Sequence, residues 1–238
     1  MGESTNEQIA NRKSQNRQTA NSKSRAAQGA VCYLLFASLL LGALSYWLPW
    51  VDHPTAALKL SGQDMGEFIK FIPAFRNGEV KFGRQLFYLP PLVCTLSLTL
   101  IGINRHLPYP RWLRIAALGI ALLLLPGLLP PVWGTPKDWF TAEFRWQGVA
   151  LILGALFVLA HGAFRRLPLR RLTVSLILLA LIGLLPAQWA LWRIKPYVWA
   201  VYGTPTIRLG WGLWLHWIAW IGAATTAIWA SKGEAFSD

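Results

Sequence analysis

Apolar residues in this chain fall into six runs, near Ala30–Trp50, Leu86–Asn104, Trp112–Trp133, Gln147–Phe164, Leu172–Trp192 and Leu209–Ala230. The polar residues collect in the stretches between them. Each run is close to the roughly 20 residues that carry a helix across a hydrocarbon core about 30 Å thick. A helix is the only single-segment structure that satisfies its own backbone hydrogen bonds in that medium. The pattern predicts an all-α, polytopic membrane helix bundle with six transmembrane helices over residues 30–230. A basic tail precedes it (residues 1–29) and a short tail follows it (residues 231–238).

The longest polar interval, residues 51–84, contains its own periodic segment. Ser61-Gly62-Gln63-Asp64 reads as a helix start in which the Ser61 hydroxyl caps free backbone amides. Met65, Phe68, Ile69 and Ile72 then follow at helical spacing, with Glu67 and Lys70 on the other side, and Pro73 is expected to end the regular part. The segment predicts a short amphipathic helix at the membrane surface. Covering the end of the bundle is its preferred role; a lid or partner contact is the alternative.

Charge orients the bundle. The tail carries Arg12, Lys13, Arg17, Lys23 and Arg25. The turn after the second run carries Arg105, Arg111 and Arg114, and the turn after the fourth carries Arg165, Arg166, Arg170 and Arg171, both without an acid. The other intervals mix signs, with Asp52, Asp64, Glu67 and Glu79 among Lys59, Lys70, Arg76 and Lys81, then Lys137 and Asp138 with Glu143. Short arginine-rich turns stay cytoplasmic, so both termini are expected on the cytoplasmic side. The compact loops suggest a bacterial inner membrane. The tail is poor in large apolar residues and predicts disorder, with contact to anionic lipid as its preferred role and docking of a cytoplasmic partner as the alternative.

A hairpin unit is expected to occur three times. Outward runs end in Leu-Pro with a Trp nearby (Leu48-Pro49-Trp50, Leu129-Pro130 with Trp133, Leu185-Pro186 with Trp189), and inward runs begin at Arg84, Arg145 and Arg208, spaced by about 60 residues. Gly-Thr-Pro also occurs twice, at Gly134–Pro136 and Gly203–Pro205. Convergence on interfacial Trp, Arg and Pro explains the same pattern without a repeat.

Composition sharpens this picture. The chain of 238 residues is 54% hydrophobic and 14% charged, whereas a soluble domain carries about a quarter charged residues. The formal charge of +13 does not indicate a nucleic-acid partner, because the basic residues sit at run ends rather than in a basic domain. Cys32 and Cys94 lie inside apolar runs and are expected as small fillers, not a disulfide. The first run is too long for a cleavable leader, and Asn6 departs from a myristoylation motif, so neither is expected.

No run contains Asp or Glu, which argues against proton- or sodium-coupled transport through an embedded carboxylate. No Walker motif and no Ser–His or paired-carboxylate constellation is present, so the chain is not expected to be an enzyme or to hold a cofactor. Asp52, His53, Asp64 and Glu67 match no metal-ligand spacing. His161 and His216 are the histidines within runs; counted from Arg145 and Arg208 their depths differ by about 12 Å, so interhelix hydrogen bonds are expected rather than a shared metal.

The remaining candidates form one group. Trp211, Trp214, Trp217 and Trp220 spiral around the last run with His216 between them. Prolines interrupt the outer halves of several runs at Pro90-Pro91, Pro126, Pro130-Pro131 and Pro186. Trp211, Trp214, Trp217, Trp220, His216, Pro126 and Pro186 are the candidate ligand-binding residues, for an apolar or amphipathic molecule. Packing or a subunit contact is the preferred reading of the tryptophans. Ser38 with Gly42, and Gly222 with Thr226, are expected at close helix contacts. Three functions remain: a non-catalytic subunit of a larger membrane complex for transport or envelope assembly, a membrane-embedded binding or transport protein for an apolar molecule, and an interfacial enzyme using the acidic outer loop.

Overall fold

The computed structural model describes residues 29–52, 59–81, 83–129, 137–141, 143–202 and 208–232, together with the isolated positions Arg12, Gln15 and Thr19. Nearly all of the basic tail, His53, Pro130-Pro131, Trp133 and both Gly-Thr-Pro triplets lie outside the described residues. The chain folds as a helical bundle. Its long helices are α1 (Gly29–Tyr46), α4 (Leu89–Ile103), α5 (Arg111–Leu124), α6 (Arg145–Leu159), α7 (Leu169–Tyr202) and α8 (Trp211–Lys232). Between α1 and α4 lie α2 (Gly62–Phe68) and α3 (Pro73–Arg76).

Five helical segments are long and apolar enough to cross a membrane: Gly29–Tyr46, Arg84–Ile103, Arg111–Leu128, Arg145–Phe164 and Leu169–Val198. They point to a membrane protein. The sixth predicted run forms α8, which has 22 residues but is not among those five. Tryptophan, histidine and small residues dilute its aliphatic content.

α4 is the axis of the bundle. Of its membrane-length segment 78% is buried, against 22% for that of α6. α5, α6 and α7 pack on α4, and α7 also packs on α8. α1 completes the bundle: Cys32, Leu35, Leu39 and Ala43 join Cys94 and Leu98 of α4 and Trp220, Ala223 and Ala227 of α8 in one core. Small residues let these helices approach. A Cβ added to Gly222 would sit 2.9 Å from the Ser38 hydroxyl, and one on Gly42 would meet Ala219 and Cys94 at 3.6 and 3.7 Å. Both cysteines are free and buried.

The structure departs from the periodic reading at one end. α1 stops at Tyr46, four residues before the predicted limit, and Pro49–Asp52 becomes strand β1. It is central in a small antiparallel sheet, between β2 (Leu60–Ser61) and β3 (Arg208–Leu209). Strands were not anticipated. Each is too short for an alternating pattern to stand out, and β1 pairs with residues that lie far away in sequence.

Pro186 does not end its helix either. α7 runs through both Pro186 and Pro196 for 34 residues, about 51 Å at 1.5 Å per residue. That is longer than a hydrocarbon core of about 30 Å, so its last turns rise beyond the apolar layer into the end that carries the sheet. Pro73 likewise opens a helix, at the first position of α3, where its missing N–H costs nothing. Pro90 and Pro91 sit in the first turn of α4 for the same reason. The three predicted hairpins pack unequally. α5 lies chiefly on α4 rather than on its sequence partner α6.

Candidate functional site

Two sets of embedded or buried polar residues stand out. The first lies beneath the cap formed by α2, α3 and the sheet. α2 starts as the sequence predicts: the Ser61 hydroxyl accepts a hydrogen bond from the Asp64 amide at 3.2 Å, and the Asp64 carboxylate accepts one from the Ser61 amide at 3.0 Å. The cap so positioned buries Met65, Ile69 and Ile72 against Trp50, Phe87 and Leu191. The apolar face of α2 therefore packs on protein.

Glu67 of α2 and Lys70 of the 3-10 turn that follows it (Ile69–Phe71) enter a charged knot. Arg84, only 5% exposed, donates to the Glu67 carboxylate at 3.0 Å and to the Glu143 carbonyl at 3.0 Å. The Tyr88 hydroxyl donates to the same Glu67 oxygen at 2.7 Å. Lys70 pairs with Glu67 and reaches Glu143 at 2.9 Å. The guanidinium of Arg84 also lies 4.6 Å from the centre of the buried Phe144 ring, and Lys70 lies over the same ring. The Lys70 hydrogen bond, above all, holds the Glu143 carboxyl below its ordinary range. The knot joins α2, the entry to α4 and the entry to α6, and its chemistry is that of a clamp. Sequence reasoning named Glu67 as a loop acid and Arg84 as a helix start. Nothing local signalled their pairing with Glu143, because Glu67 and Arg84 share one loop while Glu143 belongs to another, 59 residues beyond Arg84.

The second set lies deep between α1, α7 and α8. His216 is 1% exposed. Its Nδ1 is 3.1 Å from the Ser45 hydroxyl, which donates to the Gly42 carbonyl at 2.8 Å. Its Nε2 accepts from the Trp220 indole at 3.1 Å. One tautomer satisfies all three groups, with the proton on Nδ1 donated to Ser45. Nε2 also lies 3.3 Å from the Gly183 carbonyl, a contact that becomes a hydrogen bond only with the proton on Nε2. The Trp50 ring packs 4.7 Å from the imidazole. Trp220 fills the space that Gly183 leaves free, since a Cβ there would lie 2.7 Å from the indole.

His216 thus bonds across helices, as expected. His161 does not: it is exposed and faces the Val158 carbonyl of its own helix at 3.1 Å. Among the described residues no group of three His, Cys, Asp or Glu is placed to hold a metal ion.

The seven candidate ligand-binding residues are scattered. Trp220 and His216 are core. Trp217 is half-buried and donates to Gln188 at 2.9 Å, while Trp214 packs edge-on to it at 4.7 Å. Trp211 and Trp214 are exposed, as is Pro126; Pro186 is half-buried. None of the seven lines either of two cavities described for the fold. One is a narrow apolar crevice of about 20 Å³ under the cap, between Met65, Phe68 and Leu191, room for about one water. The other is a groove of about 310 Å³ at the arginine-rich end. Asp64 and Glu67, named for outer-face chemistry, are engaged in the capping box and the clamp.

Compared with family models, with curated proteins and with solved structures, the chain matches none.

Proposed function

We propose that this protein is a non-catalytic subunit of a larger membrane complex, serving transport or envelope assembly. The observation that carries the reading is the use made of its polar groups. The charges of the cap close on one another around the buried Arg84, and the embedded histidine closes on Ser45 and Trp220. The polar chemistry is spent on holding the bundle rather than on a substrate. The exposed apolar faces of α5, α6 and α7, with the outward-facing Trp211 and Trp214 of α8, are available to lipid and to neighbouring subunits.

We further infer six spans with both termini cytoplasmic in a bacterial inner membrane. Trp211 and Trp229 are exposed near the two ends of α8, about 27 Å apart at 1.5 Å per residue. That separation suits two aromatic belts. The acid-free arginine turns support the orientation, and the recurrence of Arg84, Arg145 and Arg208 at outer helix entries supports the hairpin repeat.

The test is extraction in mild detergent followed by native mass spectrometry. Stoichiometric partner subunits are expected. A solitary monomer whose tryptophan fluorescence is quenched by an apolar ligand, with the quenching weakened by Trp217→Ala, would replace this reading with that of a small-molecule binding protein.

A further inference from the structure

The groove at the arginine-rich end lies between α4, α6 and α7, with Leu167 of the following turn at its mouth. Leu96 and Leu100 of α4 form its floor, Phe157 and Phe164 one wall, and Ser175 and Leu179 the other. Counted from Leu169, Leu179 is about 15 Å up α7. The groove therefore spans about half of a hydrocarbon core, the depth of one leaflet. Its lining is apolar apart from the Ser175 hydroxyl.

The lip of the groove is built from two turns locked together. The Asn104 side chain, fully buried, donates to the Leu167 carbonyl at 2.8 Å, and the Arg105 amide donates to the Arg165 carbonyl at 3.2 Å. This places Arg105, Arg165 and Arg166 beside Leu167, with Arg170 and Arg171 one turn on; all five side chains are exposed. No Asp or Glu occurs anywhere in residues 80–137 or 144–233, so the lip has no carboxylate of its own. Arg114 is different in kind: its guanidinium is consumed by the carbonyls of Asn104, Leu107 and Tyr109 at 2.8–3.1 Å.

We infer that this groove is the seat of one anionic phospholipid of the adjacent leaflet, an acyl chain lying along α4 and the phosphate held by the arginine lip. An apolar slot one leaflet deep, opening beneath guanidiniums that have no carboxylate partner among the described residues, fits a molecule with a long chain and a negative head. Basic pockets between membrane helices are recognised lipid sites on the same grounds.

The test titrates the intact, detergent-purified protein with phosphatidylglycerol or with phosphatidylcholine of the same chain length, and counts retained lipids by native mass spectrometry. One phosphatidylglycerol per chain is expected, preferred about tenfold, which is about 1.4 kcal/mol. The double variant Arg165→Gln/Arg166→Gln should erase the preference while leaving weak binding of both lipids. Ser175→Phe, which fills the slot, should reduce retention of both. A second measurement avoids mutation: a phosphatidylglycerol with a photoreactive group in its acyl chain should label peptides containing Phe157 and Leu179. Equal retention of both lipids by the native protein overturns the proposal. So does labelling spread evenly over the outer faces of α5 and α6, or a groove filled by a helix of a co-purified subunit.

Discussion

The two ends of the bundle handle charge in opposite ways. At the capped end, Arg84 and Lys70 are matched by Glu67 and Glu143, and the match is partly buried and shared with Tyr88. At the other end the arginines have no acids within reach of the local sequence. One of them, Arg114, is absorbed by backbone carbonyls, and the others face outward. Matched charge builds a structure that depends on every member. Unmatched charge leaves the fold alone and is free to meet anions of the membrane. The difference separates residues whose removal should unfold a region from residues whose removal should alter what the protein touches.

The sharpest way to break that distinction is Arg84→Ala. Removing the buried guanidinium leaves the Glu143 carbonyl without its donor, takes one hydrogen bond from Glu67 and opens space over the Phe144 ring, while Lys70 still pairs with both carboxylates; the loss is about 2–3 kcal/mol. Thermal unfolding in detergent should fall markedly, and a variant as stable as the parent would show that the clamp does not hold the cap. Arg114→Ala comes next. It frees three carbonyls that end α4 and shape the following turn, and should lower stability by about 2 kcal/mol.

Gly66→Ala tests the capped end by steric means. The new Cβ would lie 2.9 Å from the Tyr88 ring and push its hydroxyl from Glu67, for a loss of about 1–2 kcal/mol. A neutral result would mean that Tyr88 is free to move.

Acid should act on one end only. The folded Glu143 carboxyl titrates below its ordinary value of 4.5, so its contribution is complete above that value and is lost as pH falls through the depressed one. Proteolysis or hydrogen exchange should show the cap loosening on acidification while the turns at Asn104 and Leu167, which hold no carboxylate, stay protected. Simultaneous opening of both ends would contradict the separation drawn here. The smallest effect belongs to Arg111→Gln, an exposed arginine with no carboxylate nearby. Its unfolding should shift by no more than about 0.5 kcal/mol, and a larger shift would place Arg111 among the structural charges.

Much of the bundle was legible from one-dimensional pattern. Hydrophobic run length found where the long helices lie, because a chain in a bilayer must satisfy its backbone within each segment, but it missed where α5 and α7 end: α5 stops at Leu124 and α7 continues to Tyr202, ten residues past the predicted limit. The Ser61–Asp64 capping box was legible too, since its partners are three residues apart. So was the interhelix hydrogen bonding of His216, expected of a histidine inside an apolar run and met by Ser45. The failures share a cause. Proline looked like a helix end at 186 and 73, yet one lies inside α7 and the other begins α3. What decides is whether the freed carbonyls find other partners, and that depends on neighbours. The tryptophan spiral was visible, but its division into a buried Trp220, a half-buried Trp217 and exposed Trp211 and Trp214 awaited the packing of α8 on α1 and α7.

By itself, the sequence determined the solvent this protein is suited to, where its long apolar helices lie and which of its turns lack acids, because these are properties of contiguous residues. Only the tertiary structure decided that Arg84, Glu67 and Glu143 form one clamp, that Ser45, His216 and Trp220 close on one another, and that α4, α6 and α7 line one groove. Each of those depends on residues from separate segments meeting at hydrogen-bond or van der Waals distance, a range at which position along the chain carries no information.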